Sequence, residues 1–344
     1  MTATNRLPFE DSACGGYESF HHAYVDQLRR VFCSPTYRNA PRGFASREQL
    51  AAQFHLTDPR QRVPFLPARR TNIVFNFAEA LWYLAGRDDL DFIGYYAPRM
   101  RRYSMDGRSL TGTAYGKKIL GGEAGRDQWR MVVDQLVGDA DSKRAVLQIF
   151  DGAELRVPDN LDVSCTLGLQ FLVRDGMLHA IAYMRANDAY RGMTSDLFSF
   201  TFLQEFLATQ LGVTLGSYTH TAGSLHVYAP DDDNVQAVLS DPASSAGPPF
   251  AFPAMPAQDN WAVLHEVLEV EEALRTNRHS LSADLGGLGL PHYWAQVLGL
   301  FEVYRRLRHD EPDPGQMLTA LDPIYQHLLL QRWGPQLRTA EVSR

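Results

Sequence analysis

The stretch RANDAYRGMTSDLFSF, residues 185–200, sets two arginines, two aspartates, an asparagine and a glycine between two largely apolar runs. The run before it, LHAIAYM, reads as a strand and the run after it, TFLQEFLATQL, as a helix, so charge collects where one element hands over to the next. Asp196 falls in the first helical turn. An acid there either complements the helix dipole, worth ~0.3–1 kcal/mol with no ligand at all, or reads a hydrogen-bonding partner. Cys165, in SCTLGLQFLV, is either a small buried hydrophobe or a soft nucleophile. Nucleophilicity needs a nearby cation, because a free thiol with pKa ~8.5 is mostly protonated at neutral pH. Glu79, inside FNFAEALWYL, carries a charge that is costly unless paired, functional or on a wet face.

The 344 residues, 45% hydrophobic and 21% charged, suffice for one large core or two smaller ones. A formal charge of −7 argues against a general nucleic-acid binder but not against a phosphate ligand, which needs only a local arginine cluster. No apolar run approaches the ~20 residues of a spanning helix, and the first residues lack a basic-then-apolar signal, so a cytoplasmic protein with no membrane partner is expected. Cys14, Cys33 and Cys165 form no C-x-x-C pair; neither a disulfide framework nor a metal site is expected. Only Lys117, Lys118 and Lys143 are lysines, a bias that fits a GC-rich bacterial genome.

Residues 1–35 suggest an N-terminal helical segment around YESFHHAYVDQLRRVF. SPTYRNAPRGFASREQL is a loop leading into a helix or a strand. A mostly buried helix spans 72–86, ended by Gly86, and 87–118 is loop-rich with many arginines and tyrosines. Strands are expected at 145–150, 164–173, 177–185 and 216–229, with a hairpin turn at 174–176 and a helix at 195–211. Residues 230–256 read as a surface excursion, and three helical patterns follow. The expected class is α+β: a catalytic domain at 36–255 with a C-terminal helical extension, 256–344, packed on it.

Ordered motifs carry a resemblance: PRG at 41–43, AEALWYLAG at 78–86, AYG at 114–116, SKRAVLQ at 142–148, SC at 164–165, the stretch 185–200, and SLHVY at 224–228. From about 38 to 230 the chain resembles thymidylate synthase, especially the branch of pyrimidine-nucleotide hydroxymethylases. The resemblance implies a three-layer fold with a mainly antiparallel or mixed sheet at a homodimer interface. It implies that Cys165 adds to C6 of the pyrimidine, with Arg185 lowering its pKa and binding phosphate. Glu79 would organise water and move protons at pyrimidine and folate, and Tyr115 would share the proton transfer at C5. Arg42, Arg185, Lys143 and Arg144 match phosphate ligands, the last two reaching the partner's phosphate site. His226 and Tyr228 match the pair that bonds the sugar hydroxyl, and Asp188 and Gly192 the residues at the pterin of 5,10-methylenetetrahydrofolate, the expected co-substrate.

Three departures from the pattern bear on the substrate. Lys143 stands where an arginine is usual, Ala186 where a phosphate-binding serine is usual, and Asp196 where dUMP-specific members carry asparagine. A carboxylate accepts from the N4 amino group of cytosine and pairs with N3 once that nitrogen is protonated. Against uracil it would set two acceptors face to face, a mismatch that discriminates by up to ~10⁴–10⁵. YYAPRMRRYSMDG lacks the tryptophans that help enclose the folate in thymidylate synthase, which implies a wetter site and water, rather than hydride, completing the reaction. The expected activity is CMP 5-hydroxymethylation, as in nucleoside-antibiotic biosynthesis. dCMP hydroxymethylation, dUMP methylation and non-catalytic nucleotide binding follow as alternatives.

Overall fold

The computed structural model describes residues 16–121, 127–311 and 314–338, so Cys14 and the start of the expected N-terminal segment lie outside the described residues. In chain order the strands are β1 Gly16–Tyr17, β2 Tyr37–Asn39, β3 Ser46–Leu56, β4 Val146–Gln148, β5 Thr166–Arg174, β6 Met177–Asp188 and β7 Thr214–Tyr228. The helices are α1 Phe20–Cys33, α2 Ile73–Leu84, α3 Leu90–Tyr96, α4 Tyr115–Ile119, α5 Gln128–Gly138, α6 Met193–Leu211, α7 Asp232–Ser240, α8 Trp261–Arg275, α9 His292–Arg308, α10 Pro314–Thr319 and α11 Pro323–Arg338.

One mixed sheet runs β1-β3-β7-β6-β5-β4, with β2 paired to β3. β5 and β6 form the expected hairpin, turning at Asp175 (φ 51°) and Gly176 (φ 72°), the left-handed pair that suits a two-residue turn between twisted strands. β6 and β7 are parallel, which demands a crossover, and α6 supplies it. The stretch left open as helix or strand is β3, whose charged Arg47 and Glu48 mask its alternation; antiparallel pairing along β7 settles it as strand.

β6 shows why the sheet has one dry face. Leu178, Ala180, Ala182 and Met184 are buried, whereas His179, Ile181, Tyr183 and Arg185 point the other way and are more exposed. α6 and α1 cover the dry face, and α2 packs on the outer side of α6. α2 is capped by Asn72, whose side chain accepts from the Phe75 amide at 3.1 Å, and nearly all its residues are buried. The other face leaves Val146, Leu167 and Tyr183 exposed in the single chain.

The C-terminal helices belong to the same hydrophobic core. Phe77 of α2 meets Tyr293 of α9 and Tyr325 of α11, and Phe202 of α6 meets Trp294 of α9, all at ring-centroid distances of 6.1–6.2 Å. Glu302, fully buried, binds Arg305 and Arg306 within α9. The extension therefore braces α2 and α6 from behind. No helix among the described residues is long and apolar enough to cross a membrane.

Candidate active site

The parallel strands β6 and β7 end side by side, with Asp188 in register with His226. β5, antiparallel to β6, begins at the same end, so Cys165 sits beside Arg185, whose amide donates to the Cys165 carbonyl at 2.8 Å. Side chains from three strand ends and from the start of α6 thus converge without long-range accident.

Cys165 Sγ lies 3.7 Å from Arg185 Nη2. The expectation that this arginine lowers the thiol pKa is half met. Arg185 and Arg42 do pull it down, but burial pushes it up further, aided by the charges of Asp196 and Asp162, and the net direction in the ligand-free chain is upward. Arg185 is also occupied elsewhere: its Nε donates to the Ser164 carbonyl at 2.7 Å and its Nη2 to that of Val163 at 2.9 Å, so it holds the segment that carries the thiol.

Glu79 does not lie on a wet face; it is 4% exposed, and Ser199 Oγ of α6 donates to its Oε2 at 3.0 Å. Burial, then the charge on Asp196, raises its pKa to about 8. Asp196 is raised to about 7 by burial against the pull of Asn187, whose Nδ2 donates to Oδ2 at 2.7 Å. Tyr115 is buried, stacks on Tyr83 at 5.2 Å, and has its pKa raised well above the usual value by burial and by Asp196 and Cys165. Gly116 lets α4 approach this closely, because a Cβ there would sit 2.2 Å from the Tyr83 carbonyl oxygen.

Asp188 Oδ1 accepts from the amides of Tyr190 (2.9 Å) and Arg191 (2.8 Å), and burial raises its pKa. Its Oδ2 keeps acceptor capacity. Gly192 caps α6, and a Cβ there would lie 3.1 Å from Asp196 Oδ2. His226 and Tyr228 pack edge to face at 5.0 Å, and Ala186 lies beside Ser224 of β7. Arg42 is exposed on a turn with φ 53°, close enough to act on the thiol. Lys143 and Arg144 are not brought to these groups within one chain. Both are exposed just before β4, the strand at the far edge of the sheet.

Several residues now at the site were not singled out by sequence. Asp162 accepts from the amides of Thr111, Gly112 and Thr113, tying the AYG segment to the cysteine segment. Lys118 binds Glu154 and donates to Ser164 Oγ at 2.6 Å, next to the thiol; the scarcity of lysine was the one available signal. Ser199 stands three residues after Asp196 on the same helix, a polar residue on an apolar face that could have been noticed.

A thiol, three carboxyl groups with raised pKa and arginines gather around the ends of parallel strands, an arrangement suited to covalent and acid–base chemistry on an anionic ligand. The family model described as thymidylate synthase matches residues 22–265, and the chain belongs to that family. Among its relatives, the deoxyuridylate hydroxymethyltransferase of Bacillus phage SP01 is 34% identical over 203 residues, covering 56% of this chain and 53% of that protein. Those of Delftia phage PhiW-14 (30% over 224 residues, 62% and 61%) and Pseudomonas phage M6 (31% over 172 residues, 49% and 48%) are similar. The chain thus spans about half to three-fifths of the length of these relatives.

Proposed function

We propose that this chain is a pyrimidine-nucleotide 5-hydroxymethylase acting on CMP, with dCMP the poorer substrate, 5,10-methylenetetrahydrofolate as co-substrate, and a role in nucleoside-antibiotic biosynthesis. The hydroxymethyl transfer is supported by family membership and by the names of the three phage relatives. Cytosine is supported by one observation above the rest: Asp196 is a carboxyl group, held through Oδ2 by Asn187, and near enough to Cys165 and Glu79 for its charge to raise the pKa of both.

In this reading the Cys165 thiolate adds to C6, and Arg185 and Arg42 stabilise its charge. Addition drives electron density toward N3. Asp196, poised near neutral with a pKa of about 7, gives N3 its proton and faces the resulting N3–H as a carboxylate. Glu79, with Ser199 on one oxygen, and Tyr115 hold the water that takes the C5 proton. The folate supplies the one-carbon unit when bound, and Asp188 Oδ2 is the acceptor offered to its pterin. Residues 98–108 are mostly exposed and rich in arginine, which supports water as the group that completes the product. Lys143 and Arg144, remote from their own site, would reach the phosphate of a partner chain across the open sheet face, making the enzyme a homodimer.

A second reading, dUMP hydroxymethylation, is favoured by the phage relatives' names and by the same raised pKa, since a neutral carboxylic acid can donate to O4. Steady-state rates on CMP, dCMP and dUMP with methylenetetrahydrofolate test the choice, and a clear dUMP preference would overturn cytosine.

A further inference from the structure

Behind Asp196 lies a buried chain of polar side chains that the reaction itself does not use. Asn187 Nδ2 donates to Asp196 Oδ2 at 2.7 Å, and Asn187 Oδ1 is 3.1 Å from His220 Nε2. His220 Nδ1 is 2.9 Å from the Tyr218 hydroxyl. Tyr218 and His220 are at most 1% exposed, and Asn187 is 3% exposed.

The direction of this chain is fixed at its far end. Tyr218 has a single hydroxyl proton and, among the described residues, a single hydrogen-bond partner for it, His220 Nδ1. A buried hydroxyl donates where it can. His220 Nδ1 is therefore the acceptor, and Nε2 carries the ring proton; burial lowers the pKa of His220 to about 3, so the ring stays neutral. Nε2–H then donates to Asn187 Oδ1, which turns the Asn187 amino group toward Asp196.

A neutral carboxylic acid free to place its proton on either oxygen complements both pyrimidines. With the proton toward N3 it matches cytosine, and with the proton toward the C4 substituent it matches uracil. We propose that Tyr218, His220 and Asn187 are positioning residues that remove this ambiguity, holding Asp196 Oδ2 as the bare acceptor for an exocyclic amino group and leaving the proton on Oδ1 for N3. This rests on the reading of Asp196 as the residue that faces the base edge. Gly192 keeps the arrangement open, since a Cβ there would stand 3.1 Å from Oδ2 and 3.5 Å from Asn187 Nδ2.

The test compares kcat/KM for CMP and dUMP in the parent, Asn187→Ala and Tyr218→Phe. Tyr218→Phe deletes one hydroxyl and keeps the ring, so it reports even should Asn187→Ala fail to fold. Losing one hydrogen bond of the relay is expected to lower the CMP-to-dUMP ratio by ~3–10-fold in Tyr218→Phe, and by more in Asn187→Ala. A loss of packing alone would depress both nucleotides together. An unchanged ratio in both variants, in a parent that prefers CMP, overturns the relay and leaves the reading of the base standing. A parent that prefers dUMP overturns the reading of the base and the relay with it.

Discussion

Glu79 of α2 and Asp196 of α6 approach each other from different helices, and the charge on Asp196 adds to burial in raising Glu79 to a pKa of about 8. Both groups hold their protons in the fold at pH values where the unfolded chain, with ordinary values of 4.5 and 3.8, has released them. The folded state binds the extra protons, so their contribution to stability is present below about pH 4 and is lost as pH rises through about 7 and 8. Asp196→Asn removes one titration and relaxes the other. Its melting temperature should exceed the parent's by a margin that grows from pH 5 to pH 9; a margin constant across that range would contradict the raised pKa of Asp196.

Cys165 offers a second test. Its thiol is raised by burial while Arg185 and Arg42 pull it down. The pH midpoint for alkylation by iodoacetamide should lie above that of an ordinary cysteine in the ligand-free protein. Arg185→Ala should move it higher, and Asp196→Asn lower. A midpoint insensitive to Arg185 would show that the 3.7 Å contact does not tune the thiol.

Two glycines should behave differently. Gly116→Ala drives a Cβ to 2.2 Å from a backbone oxygen of α2, a clash that side-chain motion does not relieve, and is expected to cost ~1–3 kcal/mol or more of stability. Gly192→Ala meets the Asp196 and Asn187 side chains at 3.1 and 3.5 Å, which can shift. Its melting temperature should stay near the parent's while kcat/KM for CMP falls. Equal loss of stability in both would count against the role given to Gly192.

The distance of Lys143 and Arg144 from their own Cys165 yields a subunit-mixing test. Arg144→Ala and Cys165→Ser chains, each inactive alone, should recover about a quarter of parental activity when dissociated and reassociated at equal amounts, because half the dimers then carry one intact site. No recovery would show that the phosphate is not held by the partner.

Much of this site was legible in the sequence because local pattern and function coincide there. The hairpin turn, the strand containing Cys165 and the helix opening at Asp196 follow from short-range signals, and they place Arg185 beside Cys165 through adjacent pairing alone. Glu79 was legible as an anomaly, a charge in an apolar helix. Harder to see were contacts set by tertiary packing. Ser199 meets Glu79 only because α6 lies on α2, and His220 reads as one more polar residue on an alternating strand until β6 and β7 pair in parallel. Arg185 does pull the thiol's pKa down as its place in the sequence implies, but the burial that outweighs it comes from tertiary packing and is not visible there.

The most direct measurement is the release of the C5 proton from CMP, dCMP and dUMP, each followed with and without methylenetetrahydrofolate, in the parent and in Asp196→Asn. The parent should exchange or release it from CMP fastest, from dCMP more slowly and from dUMP hardly at all, and Asp196→Asn should reverse the order of the two bases. Release from dUMP alone by the parent, or an identical base preference in parent and variant, would contradict cytosine recognition by Asp196.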